Sequence, residues 1–428
     1  MEPPRRLDDN HADNAAPDNA PAEPPPAAER ITRVDTVRLA NEPWSGMLIP
    51  LTGADPADAR YEGALTLRRA TGVLTMWDPL TARERWQLRT GAIRDVIATH
   101  GRLIIVCSDV RSVDPVTGLA DWRAACDGPE RATTAAVDDT RIWLYEDDYA
   151  GHRHPPRIAC INLADGHDHW RQPLPDGAGH VTQLVRVGAD RLLALCDSDP
   201  PSVLAFDCNQ PGEPVWRLDR RAVSPVVAVG ADRFAMIDVA TGHVQICGVE
   251  SGDLRHDAAD PDARALALLA VAGMRLIVRT NCDIRAIDAD SGRVAWRAVA
   301  TRIQPASRTI GDRLLMLADD RARLIDLATG DEIAACHVGS FDRTAPAVAV
   351  GRAGIHICTA AITTDAPPTV DLMLTVLDPA TGAIRARTYE SRVDPAGWAD
   401  ESFGLSAQGT SAALRLGHDL VVYRWASE

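Results

Sequence analysis

The 428-residue chain contains no lysine: all 45 of its basic residues are arginine. Without an ε-amino group it cannot form a Schiff base, supply the lysine of a Walker-type phosphate loop, or use a lysine general base. The motifs G-x-S-x-G, H-E-x-x-H and G-x-G-x-x-G are also missing, so no nucleophile elbow, zincin helix or dinucleotide fingerprint is present. Sixty acidic residues leave a formal net charge of −15. That balance argues against nucleic acid and anionic lipid as partners, because both need clustered cationic surface.

Nine cysteines are an odd number, with no Cys-x-x-Cys and no adjacent pair. Most end or interrupt apolar runs, as Cys107 does after Leu-Ile-Ile-Val, and they read as small buried hydrophobes. No stretch reaches the roughly 18 to 20 apolar residues of a membrane helix. Residues 1–30 hold no apolar core of a secretory leader, so the expected location is cytoplasmic.

Residues 1–32 are rich in Pro, Ala, Asp and Asn and are expected to form a disordered acidic tail, having too little to bury to offset their ordering entropy. From residue 33 to 428 the texture changes to runs of five to eight apolar residues, broken by Gly, Asp, Asn or Pro every eight to twelve residues. This is the spacing of strands and turns. The one Ala-rich stretch resembling a helix, 262–272, is apolar almost throughout and reads as strand.

One pattern then repeats at intervals averaging about 43 residues: an apolar pair, Asp, two residues, Thr or Ser, Gly, three residues, Trp. It is complete at Asp114, Thr117, Gly118 and Trp122, and again at Asp288, Ser291, Gly292 and Trp296. Weaker copies end at Trp86, Trp170 and Trp216, the last with one extra residue; three more, around Gly252, Gly330 and Gly382, lack the indole. Each copy predicts a tight hairpin in which Asp accepts backbone N–H bonds, the hydroxyl supports the turn and Gly adopts positive φ. The Trp then stands on the outgoing strand, where it can fill the seam to the next unit.

About 43 residues is four short strands with their turns, the period of a propeller blade. The expected fold is all-β, a single monomeric propeller of four-stranded antiparallel blades, eight by the count of labelled turns, with seven and nine left open by that count. Strands in 403–425 carry no labelled turn; the segment around Val37 is expected to complete their blade, since an open ring would leave sheet edges unpaired.

The spacing of Ala286, Asp288, Gly292 and Trp296 resembles the tryptophan-docking motif of the pyrroloquinoline-quinone-like (PQQ-like) propeller repeats, over roughly residues 60–390. That superfamily includes quinoprotein alcohol dehydrogenases, the propeller lipoprotein of the outer-membrane β-barrel assembly machine and many other bacterial proteins. The resemblance implies a fold more than a function. Quinoprotein dehydrogenases carry an adjacent Cys pair over the quinone, an Asp base and a Ca²⁺ site; this chain has no Cys-Cys, and no cofactor is expected.

His152, His154, His167 and His169 suggest metal at first sight. Alternate residues of an extended chain point apart, and a strand of roughly 17 to 23 Å separates the two pairs, so no metal site is expected. Recognition is instead expected on one face, where loops 146–156 and 361–368 and segment 391–401 should converge. Asp147, Asp148, Tyr149, Arg153 and Trp398 are the candidate binding residues there. Counted with Glu146, Asp365, Asp394, Asp400 and Glu401, the acidic charges favour a basic or mixed polar partner. The expected function is a non-catalytic scaffold for another protein or a small polar ligand; the alternative is a propeller enzyme using its central channel.

Overall fold

The computed structural model describes residues 29–38, 45–48, 63–68, 71–78, 81, 83–91, 93–125, 132–147, 155–219, 225–259, 264–340, 345–351, 354–362, 369–393, 404–408, 411–416 and 419–425. Every regular element among them is a β-strand, including Ala265–Ala272 in the Ala-rich stretch. The strands form eight sheets arranged as a propeller. Sheets 1 to 7 are four-stranded antiparallel meanders spanning 45–89, 95–125, 132–173, 181–219, 227–258, 265–299 and 308–337. In each the first strand lies innermost and the fourth outermost. Successive first strands lie against one another across sheets 2 to 7.

The eighth sheet is double. Its half 8a is a meander over 347–393; its half 8b joins three C-terminal strands, Gly404–Gln408, Ser411–Leu416 and Asp419–Trp425, to the N-terminal strand Glu29–Arg38. Val37 does lie in that outer strand, which runs antiparallel to Asp419–Trp425 from Ile31↔Trp425 to Arg38↔Asp419. Two parallel pairs, Glu29↔Ala386 and Arg30↔Arg387, join the outer strands of the halves. Counted as four-stranded units the ring therefore holds nine, in eight sheets, and it closes where the first strand of 8b meets that of sheet 1.

The labelled hairpins connect third and fourth strands. In sheet 2, Asp114 Oδ1 accepts the N–H groups of Val116 and Thr117 at 2.9 and 2.7 Å and the Thr117 hydroxyl at 3.0 Å. Gly118 has φ +72°, and a Cβ there would stand 2.5 Å from the Trp86 ring of sheet 1. The same seat recurs around the ring: Trp122 over Gly166, Trp216 over Gly252 and Trp296 over Gly330. Each indole N–H also donates to a carbonyl of the next turn, from Trp86 to Pro115, Trp122 to Leu163, Trp216 to Val249 and Trp296 to Leu327, at 2.8–3.0 Å. Trp170 differs. The extra residue in the next turn moves Gly212 away, so a Cβ on Gly212 would touch nothing. Half-buried Trp170 packs instead on the core between sheets 3 and 4.

These turns make the fold sensitive to acid. The Ser291 hydroxyl and N–H hold the Asp288 carboxyl below the usual range, and the Thr329 N–H does so for Asp326. Burial opposes ionisation of Asp378, yet the Thr381 N–H and the Arg385 guanidinium bring it down to about 2. A depressed folded-state pKa favours folding above the unfolded value, near 4 for Asp, and that contribution is lost as pH falls. Thermal melts are expected to weaken between about pH 4 and pH 2, and Asp378→Asn to flatten part of that fall; a melting temperature constant over this interval would contradict the assignment.

Arginine provides a second tie between sheets. The second strands of sheets 2 to 7 begin with Arg102, Arg141, Arg191, Arg233, Arg275 and Arg313. Five of these reach into the next labelled turn: Arg102 to the Ala164 carbonyl, Arg141 to the Cys208 carbonyl and Asn209, Arg191 to Glu250, Arg233 to the Ala289 carbonyl and Asp290, Arg275 to the Leu327 carbonyl. A guanidinium offers five fixed donors where an ammonium is a single point charge. Arg233→Lys is therefore expected to cost about 1 kcal/mol in denaturant titration, through loss of forked, charge-assisted bonds; unchanged stability would show that the fork contributes nothing.

Of the described cysteines, 107, 160, 196, 208, 247 and 358 are buried, Cys336 is half-buried and Cys282 is exposed; none is bonded to another. Cys282 departs from the expected burial because it sits in the turn before strand Asp283–Asp288.

Candidate functional site

Second-to-third-strand loops and the connections between sheets emerge on one face, opposite the labelled turns. Asp148, Tyr149, Arg153 and Trp398 lie outside the described residues, as do Asp365, Asp394, Asp400 and Glu401. His152 and His154 lie outside them too, while His167 and His169 are exposed. Among the described residues, no three His, Cys, Asp or Glu side chains come together to hold a metal ion.

Asp147 is described, and it centres the best-defined part of this face, the seam between sheets 3 and 4. Strand Arg141–Glu146 carries Tyr145 and Glu146 on opposite sides. Glu146, expected among the outward acidic charges, is only 4% exposed. Its Oε2 accepts Arg157 Nε at 2.7 Å and lies 3.4 Å from Arg171 Nε. Its charge is spent inside the sheet, so it is no part of the outer field.

Half-buried Asp147 faces the other way, with Oδ2 3.4 Å from His180 Nδ1. The His180 ring meets the buried Tyr145 ring edge-on, centroids 5.0 Å apart. Burial, reinforced by the Asp147 charge, pushes the Tyr145 hydroxyl above its ordinary pKa, so it stays neutral. The His180 backbone is fixed to the neighbouring loop: its N–H donates to Asp197 Oδ1 at 2.6 Å, and its carbonyl accepts the Asp197 N–H at 2.9 Å. Behind it, Ser198 Oγ donates to the Pro200 carbonyl at 2.8 Å and lies 2.9 Å from Ser202 Oγ. The result is a firm ledge bearing half-buried Asp147 and exposed Asp176, Asp197 and Asp199. No arginine occurs among the described residues of 147–156, 174–180 and 197–201.

Two buried ion pairs on this side escape a search for hairpin motifs. Asp109 accepts Arg111 through Nε and Nη2 at 2.8 and 3.0 Å and also pairs with Arg123. Asp283 accepts Arg285 at 3.0 and 2.6 Å and the Thr280 hydroxyl at 2.5 Å. Burial and the Asp109 contact push the adjoining Cys107 thiol up to about 11, which keeps it protonated and unreactive. The signal was present as Asp-x-Arg five residues before Asp114 and before Asp288.

Comparison with solved structures gives the same architecture at low identity. BamB from Moraxella catarrhalis is 13% identical, covering 93% of this chain and 98% of that one, with a TM-score of 0.44. The C-terminal WD40 domain of Sif2 is 10% identical over 94% and 99%, with a TM-score of 0.54. The computationally designed Ika8 protein is 11% identical over 89% and 100%, with a TM-score of 0.51. At such identity the likeness to the Sif2 and Ika8 structures concerns fold alone. No curated protein sequence matches the chain. The family model described as outer membrane protein assembly factor BamB matches residues 107–258 and 201–361. With more than half its length so matched, the chain belongs to this family of PQQ-like propeller repeats.

Proposed function

We propose that the chain is a non-catalytic scaffold that binds another protein on the loop face, at the ledge between sheets 3 and 4, and that it favours a basic or mixed polar partner. The observation that carries this reading is the set Asp147, Asp176, Asp197 and Asp199 on a backbone held in place from both sheets. Such a field hastens encounter with cationic surface, and its rigidity lowers the ordering cost of binding. The family description, an assembly factor, supports a protein as the partner.

The test begins with recovery of the partner by the tagged full chain from its own cells. Association kinetics are then compared for the wild type and for Asp176→Asn combined with Asp199→Asn. Rim charges act mainly on the association rate, so a roughly threefold to tenfold slower association at low salt is expected, with a flatter salt dependence. A partner that associates equally fast with both proteins would place the contact elsewhere.

A further inference from the structure

We propose that the outer edge of sheet 7, strand Glu332–His337, pairs with the same strand of a second copy of the chain. This goes beyond the scaffold reading and does not use the ledge. Every other outer strand among the described residues carries at least one arginine. Strand Glu332–His337 reads Glu-Ile-Ala-Ala-Cys-His and has none. The contrast is sharpest one residue after the position that docks on the next turn. Arg123, Arg171, Arg217, Arg297 and Arg387 stand there in sheets 2, 3, 4, 6 and 8a, and Gln87 and Asp257 in sheets 1 and 5; sheet 7 has Ala335. Charged side chains on an edge strand guard it against pairing with other chains. Here that guard is missing.

The strand is last in its sheet, with no strand beyond it among the described residues. Val338 N–H donates inward to the Asp320 carbonyl at 3.0 Å, so alternation along the ladder turns the backbone groups of Ala335 and His337 outward. The His337 carbonyl accepts Arg387 of 8a, which leaves the Ala335 groups and the His337 N–H to pair. Glu332 is drawn back to Arg323 of its own sheet, while Ile333 is 38% exposed. The occupant follows from the strand's own pattern. About a two-fold axis, an antiparallel ladder sets Ala335 opposite Ala335 of the second copy, Ala334 opposite Cys336 and Ile333 opposite His337. No like charges meet, and each Glu332 ends one residue beyond the His337 of the other copy, so the strand is complementary to itself. Two-fold pairing of one surface with itself is also the commonest form of association. An edge this short gives a weak, concentration-dependent dimer in place of the expected monomer.

The test is sedimentation equilibrium of the full chain from micromolar to millimolar concentration. The weight-average mass is expected to rise from 46.0 kDa toward twice that value. Ala335→Arg restores the residue type that other sheets place here and sets two like charges face to face, so it should weaken association about tenfold or more without altering the melting temperature. Ala335→Pro removes only an outward N–H and should act in the same direction. Amide exchange at Ala335 and His337 is expected to slow as the dimer forms. A mass constant at 46.0 kDa up to millimolar concentration, or association that Ala335→Arg leaves intact, would overturn self-pairing. So would a chain that stays monomeric while a synthetic nine-residue Val-Thr peptide slows exchange at Ala335 and His337, since the edge would then take a foreign strand. None of these results bears on the ledge, which is tested by Asp176→Asn with Asp199→Asn.

Discussion

Removal of residues 29–38 is expected to destroy the cooperative fold of the whole ring, although these residues are less than a tenth of the described chain. The N-terminal strand forms seven residue pairs with Asp419–Trp425 and two with the outer strand of 8a. At about 1 kcal/mol of net stabilisation per hydrogen bond, the loss is comparable to the 5 to 15 kcal/mol that holds a typical domain together. Buried Val421, Val422 and Tyr423 would also stand on an open edge prone to pairing with other chains. Expected results are a melting temperature lowered by more than about 10 °C, or insoluble protein, with partial recovery when a peptide of residues 29–38 is supplied in trans. A truncated chain that melts within about 2 °C of the full one would show that the ring does not depend on this closure.

The second large effect concerns the indole seats. Trp296→Ala is expected to cost about 3 to 5 kcal/mol, the usual range for a buried aromatic truncated in a core. The ring is 9% exposed, and its N–H bond to the Leu327 carbonyl would be lost as well. Gly330→Val should be comparably harmful, since its Cβ would lie 2.5 Å from the Trp296 side chain at a backbone φ of +80°. Trp170→Ala should cost clearly less, because that ring has no glycine seat and is already half-exposed. Denaturant titrations check the order; equal, small changes for all three would refute the docking account.

How legible this was in the sequence differs from element to element. The eight hairpins were readable because Asp, Thr or Ser, Gly and Trp answer to one turn geometry that few other residues satisfy. The ninth meander carried no label for a physical reason. The label lies in the connection from third to fourth strand, and in 8b that connection does not exist, since Glu29–Arg38 comes from the other end of the chain. Counting labels in a ring closed at this point always gives one fewer than the number of four-stranded units. Trp170 looks like the other indoles in sequence because the extra residue lies in the following turn, outside the span of its own motif.

At the candidate site, adjacent residues parted. Glu146 and Asp147 look alike in a count of charges, yet one is folded into an arginine pair and the other meets His180. Strand alternation implies that they face apart; which one faces inward is decided by Arg157 and Arg171 on the neighbouring strands. The absence of lysine forbids some chemistry. Its constructive side, guanidinium forks at the head of second strands, required the turns of the next sheet to be in view.

At the four seams where an indole sits on the following glycine, the repeats have a sense of direction. There one flank delivers a side chain and the other receives one, so these repeats fit behind one another, while a reversed one would set two deliverers face to face. A tandem duplication of one such unit within the gene would therefore enter the ring with both flanks already matched, needing no compensating change in its neighbours. Blade number in such a chain can drift by whole repeats, whereas the ends must stay fixed, because Glu29–Arg38 must pair with both Asp419–Trp425 and the outer strand of 8a.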